Sequence, residues 1–316
     1  VRFAFTDDQL AFRDAVRDLL EKECPPSVVR EAWTNADGRS GYAWTALAEM
    51  GVLGALVPES AGGLGLSVLD VVLIAEETGR AALPEPFVEH VLVGAPVVAN
   101  AAVADGSLTI AAGDPFVPYA DSADLLLIGP GRGAVVERAA AVLAPQPSVD
   151  GSRRLFTVPA GEPVRTLDAD EHHRAFDRGA LGIAAQLLGL AAWLLDTTVE
   201  YVTQRCQFGA PIGSYQAIKH KLADVRVALE FARPLVYRAA YSLTHDDPAT
   251  AVHVSMAKAR AGDAAALAAR HALQCHGAIG YSNESDLHLW LKRVWALDAS
   301  WGDAAWHRER VARAIL

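Results

Sequence analysis

Arg205, Gln207 and Phe208 open the stretch RCQFGAPIGSYQAIKHKLADV, which runs from Arg205 to Val225. A guanidinium presents a fixed fork of donors that matches phosphate oxygens. Gln207 can add a hydrogen bond, and Phe208 offers a flat apolar wall. By residue type alone the stretch is either a phosphate-holding cofactor site or a loop between two helices. Other reactive groups are sparse. Cys24, Cys206 and Cys275 lie far apart without a C-x-x-C pair, so they read as reduced thiols, the last two buried and inert. Glu171–His173 lacks the paired i, i+3 spacing of a di-iron bundle and reads as a solvated turn before a helix. His276 reads as packing at a helix end, and no metal site is expected.

The elements that must position these residues are mostly helical. The chain has 316 residues, 52% hydrophobic and 21% charged, enough for a full core of two or three units. Its formal net charge of -10 argues against non-specific nucleic-acid binding but leaves room for a local basic pocket. Neither a secretory signal nor a bilayer-spanning run is apparent, so a cytoplasmic protein off the membrane is expected. Thr6 and Gln9 have capping-box spacing before a helical stripe, and Ser67 with Asp70 can cap a later helix. Between about Gly106 and Arg165, short β-prone runs broken by Gly, Pro and Asp predict a small antiparallel β-domain. From Asp168 onward three long helices and a last one, DLHLWLKRVWALDA with its continuation, predict a four-helix bundle. The expected fold is mainly α with a small β-domain: helical residues 1–105, a short β-domain over 106–167, and a C-terminal bundle over 168–316. ALGIAAQLLGLAAWLL is apolar enough to predict a large obligate subunit interface.

Four motifs, VPESAGGLGLS, RCQFGAPIGSYQAIKHKLAD, QCHGAIGY and DLHLWLKR, occur in an order and spacing that resemble the acyl-CoA dehydrogenase family. The resemblance covers most of the chain and is weak in the β-domain. It implies that Arg205, Gln207 and Phe208 reach across a subunit interface to the pyrophosphate and adenosine side of a neighbour's FAD. By the same resemblance Ile212 and Tyr215 lie nearby, while Gln274, Cys275, Gly277 and Ala278 form a second segment where small residues let backbone approach the ADP moiety.

The resemblance also shows departures. Family members take the thioester α-proton with a glutamate at one of two places. Trp301 stands at one and Gly179 at the other. IAAGDPFVPYADSADLLLIG replaces the threonine–glutamate and glycine–serine stretch that holds the flavin ring. No catalytic residue is therefore assigned to this chain, with Asp298 and Asp303 the nearest carboxylates. The resemblance implies a non-catalytic subunit of a heteromeric acyl-CoA dehydrogenase, similar to those that actinobacteria use on steroid-derived CoA esters. A homologous catalytic subunit, an α2β2 heterotetramer and electron-transfer flavoprotein as acceptor would go with it. A homomeric dehydrogenase with an atypical base such as Asp303, and a non-enzymatic scaffold, remain alternatives.

Overall fold

A computed structural model describes residues 4–129 and 133–316. Helix α1 (Asp7–Glu23) starts at the reciprocal Thr6–Gln9 capping box. Short α2 (Pro26–Ala32) and α3 (Tyr42–Glu49) lead to α4 (Val68–Arg80), where Asp70 accepts hydrogen bonds from the Ser67 backbone and hydroxyl. FVEHVLVGAPVV is wound as a π-helical segment, Val88–Gly94, running into α5 (Ala95–Val98), and α6 (Ala101–Ala104) follows.

Among the described residues, seven strands then form two sheets: β1 (Ile110–Gly113), β2 (Val117–Pro118), β3 (Leu125–Ile128), β4 (Ala134–Glu137), β5 (Val142–Gln146), β6 (Leu155–Ala160) and β7 (Pro163–Thr166). One sheet has the order β1-β3-β4-β7 and the other β2-β6-β5. The expected all-antiparallel region is corrected in one pair. β1 and β3 run parallel, Ile110 opposite Leu125, because the chain crosses over through β2 before returning to the first sheet.

The C-terminal part is built on α7 (Ala169–Gln204), α8 (Gln216–Thr244) and α9 (Thr250–His276), with α10 (Leu287–Asp298) and α11 (Ala304–Ile315) against them. Glu171 and His172 lie in the first turn of α7, where Asp168 and Glu171 form a capping box. The solvated turn expected at Glu171–His173 is therefore replaced by helix. An 18-residue stretch of α7 has mean hydropathy 1.5, yet 83% of it is buried inside the chain. Its apolarity serves this chain's own core, which corrects its use as a sign of a subunit interface. Helices α4 and α7 cross at backbone contact: a Cβ on Gly189 would run into the Glu76 carbonyl oxygen, and one on Gly79 into that of Gln186. Gln186 Nε2 donates to Thr78 Oγ1 at 3.1 Å beside that crossing. The long last helix is also corrected. It breaks at Trp301 and Gly302, with φ of 54° and 86°, before α11 restarts at an Asp303 N-cap.

A candidate cofactor-facing end of the bundle

The C-terminal end of α7, the N-terminal end of α8 and the C-terminal end of α9 meet at one end of the bundle. Arg205 leaves α7 with extended backbone, its N–H still bonded to the Tyr201 carbonyl at 2.9 Å. A two-stranded hairpin follows, β8 (Cys206–Gln207) pairing with β9 (Ala210–Pro211). Its central residues Phe208 and Gly209 both have positive φ, 54° and 82°, as the common two-residue hairpin turn requires. The Ile212 N–H donates to the Arg205 carbonyl at 2.8 Å, and the Tyr215 hydroxyl donates to that of Gln207 at 3.1 Å. Ile212 and Tyr215 thus brace the hairpin. Residues Arg205–Gly209 are exposed, Phe208 to 93%. Cys206 is exposed with them, which corrects the buried thiol expected there.

The second segment begins where α9 ends. Gly277 has φ 64° and ψ -137°, a conformation that side chains disfavour, and no atom lies within 4 Å of where its Cβ would be. Gln274, Gly277 and Ala278 are exposed, whereas Cys275 turns inward at 5% exposure, burial raising its thiol pKa. Only the backbone of Cys275 can face a ligand here.

Tyr201 ties the two segments together, a role the sequence reading missed. Its ring stacks on His276 at 4.2 Å and 19°, and its hydroxyl donates to the His276 carbonyl at 3.5 Å. His276 Nδ1 donates to the Ala272 carbonyl at 2.8 Å, and burial lowers its pKa, so the ring is a neutral packing group as expected. An aromatic residue one helical turn before Arg205 was the available signal.

Among the described residues, Arg205, Lys219, Lys221 and Arg270 have no carboxylate within ion-pair distance. A chain of net charge -10 therefore keeps uncompensated cations at this end, where a phosphate-bearing ligand would be attracted.

A second region lies at the opposite end of α7. The cleft between the β1–β3 edge and α7 is lined by Gly113, Asp114, Leu127, Ile128, Gly129, His172, Ala175, Phe176 and Trp301, with a cavity volume of about 10 Å³. Trp301 is 8% exposed, and a Cβ added to Gly179 would stand 2.6 Å from its ring. Phe176 meets the indole edge-on at 5.9 Å. Lys258, 1% exposed, donates to the carbonyls of Asp298 at 2.8 Å and Gly302 at 3.1 Å. His307 Nε2 donates to the Trp301 carbonyl at 2.9 Å, which leaves Nδ1 to accept from Ser255 at 3.0 Å. Asp298 and Asp303 are absent from the cleft lining. The Asp303 carboxylate caps α11 by accepting from the Trp306 N–H at 2.8 Å. Burial raises the Asp114 pKa, and His172 Nδ1 is buried without a hydrogen-bond partner among the described residues.

Residues 6–104 match the acyl-CoA dehydrogenase N-terminal domain and residues 172–316 the acyl-CoA dehydrogenase C-terminal domain. The chain is similar to acyl-CoA dehydrogenase IpdE2 of Mycolicibacterium smegmatis, 32% identical over 92% of this chain and 93% of that protein. Acyl-CoA dehydrogenase FadE34 of Mycobacterium tuberculosis is 30% identical over 92% of this chain and 45% of its own length. In fold the chain resembles the ChsE4–ChsE5 complex of Mycobacterium tuberculosis, with a TM-score of 0.90 at 22% identity, covering 100% of this chain and 99% of that one. The chain belongs to the acyl-CoA dehydrogenase family, flavin-dependent oxidoreductases acting on CH–CH groups.

FAD is that family's cofactor, and the two regions differ in how they would fit it. The bundle end, with an unpaired guanidinium, an exposed amide, an exposed ring and uncovered glycine backbone, suits its diphosphate half. The cleft, with a cavity volume of about 10 Å³ beside Trp301, has no room for a flavin ring.

Proposed function

We propose that this chain is the non-catalytic subunit of a heteromeric acyl-CoA dehydrogenase and completes the FAD site of a homologous catalytic partner. The reaction is α,β-dehydrogenation of a CoA thioester, with a steroid-derived acyl group as the substrate class. One observation carries the reading. The two places where the family resemblance puts a base hold Gly179 and Trp301, which pack directly against each other. Similarity to acyl-CoA dehydrogenase IpdE2 supports the reaction class, and a fold shared with the ChsE4–ChsE5 complex and the Tcur3481–Tcur3483 steroid enzyme supports a heteromer of this kind.

When bound, FAD supplies the acceptor for hydride from the β-carbon. Arg205 would hold the pyrophosphate by charge-assisted hydrogen bonds, and Gln207 would add a donor. Phe208 would cover the adenosine side. The 274–278 turn would offer backbone to the ADP moiety, Gly277 having open space where a Cβ would stand. The partner contributes the base, the flavin-ring contacts and the acyl pocket. Two copies of each chain, electron-transfer flavoprotein as acceptor, and a cytoplasmic location complete the proposal.

Purification of the chain alone and with its co-expressed partner tests it. The expected result is a colourless chain alone, and a yellow complex that dehydrogenates acyl-CoA with an artificial acceptor. A chain that is yellow and active by itself would establish a homomeric enzyme.

A further inference from the structure

Trp301 is an unusual residue for its backbone. A bulky side chain at φ 54° is uncommon, and such a conformation persists only where the surroundings over-determine it. Here the surroundings fix it from both sides. Lys258 and His307 bind the carbonyls of Asp298, Trp301 and Gly302, fixing the backbone that carries the ring. On the other side the indole lies on bare backbone at Gly179, beside Phe176, in a cleft whose walls come from β1, β3 and α7. The cleft is lined by polar groups as well, Asp114 and a His172 Nδ1 without a hydrogen-bond partner among the described residues, which an all-apolar core patch would not need.

We infer that this cleft is a ring-binding pocket whose occupant is part of the chain. The indole of Trp301 fills it, and the pocket takes a free planar bicyclic aromatic of indole size once that side chain is removed. This deepens the reading of a non-catalytic subunit: the chain's own site is physically occupied as well as lacking a base. Deleting an indole leaves a void on the order of 150 Å³, large enough to admit an aromatic ring. Trp301→Gly is the suitable deletion because glycine adopts positive φ without strain.

The experiment is chemical rescue of the full chain, co-purified with its partner. Trp301→Gly should lower the thermal midpoint, and millimolar indole should raise it again in a saturable way, as a ligand binding only the folded state does. The wild-type midpoint should not respond. Gly179→Ala should also lower the midpoint, because its Cβ meets the ring. In the Gly179→Ala/Trp301→Gly double variant that loss should disappear, giving strong non-additivity. Indole shifting Trp301→Gly no more than wild type, or additivity in the cycle, would overturn the inference. Should Trp301→Gly not accumulate as folded protein, Trp301→Leu replaces it in the same cycle, and additivity there is equally fatal. FAD retention, which depends on the hairpin at the other end of α7, is measured on the same samples. A complex that never retains FAD overturns the proposed function and leaves the pocket result standing.

Discussion

The indole of Trp301 rests on the backbone of Gly179, so close that a β-carbon at 179 would lie 2.6 Å from the ring. The contact joins the turn between α10 and α11 to the first third of α7. If this chain holds no base, Asp303 is a helix cap and nothing more. Asp303→Asn, which preserves the capping role, should leave dehydrogenation by the complex nearly intact. A true base contributes roughly 10²- to 10⁴-fold. A hundred-fold fall in steady-state turnover would return the base to this chain.

Arg205→Ala should weaken FAD retention by the complex about ten-fold or more, corresponding to a charge-assisted contact of about 1.5–3 kcal/mol. The fold should survive, because the side chain is exposed and has no carboxylate partner among the described residues. FAD titration into stripped complex, followed by flavin absorbance, measures it. An unchanged dissociation constant would mean that the guanidinium points elsewhere.

Gly189→Ala attacks the α4–α7 crossing. Its methyl would meet the Glu76 carbonyl, which is rigid helix backbone, so the two helices must separate. The expected loss is about 1–3 kcal/mol, the range for overpacking a well-filled interior. Chemical denaturation of the complex would register it, and a midpoint equal to wild type would show that the crossing relaxes without cost.

Burial holds the pKa of His90 and of His307 at about 4, against an ordinary 6.5. Below pH 6.5 the unfolded chain takes up protons that the folded chain refuses until about pH 4. Stability contributed by these neutral rings is therefore complete above pH 6.5 and lost as pH falls toward 4. Thermal midpoints measured through that window should fall with acid, and His90→Gln should flatten the slope. A slope identical to wild type in that variant would remove His90 from the account.

Elements with local signals were legible in the sequence. The Thr6–Gln9 box and the three long helices each carry their cause in neighbouring residues, whereas Phe208–Gly209, which reads as a loop, forms a hairpin turn. Features set by distant chain were not. Nothing near Ile110 announces that it pairs in parallel with Leu125, since that depends on the crossover through β2. A tryptophan at positive φ contradicts local preference, and groups such as Lys258 and Gly179, remote in sequence, help to hold it there. The apolarity of α7 was visible, but whether it faced a partner or its own chain depended on α4 and α9. Cys206 looked buried by residue type and is exposed because the hairpin projects.

Tyr201 has a consequence for assembly. The surface it ties together draws on the end of α7, the start of α8 and the end of α9, so it exists only after all three helices have closed. A half-made chain cannot display it. A partner that recognises this surface would therefore inspect each copy for completion, and pairing would proofread folding before any cofactor is committed.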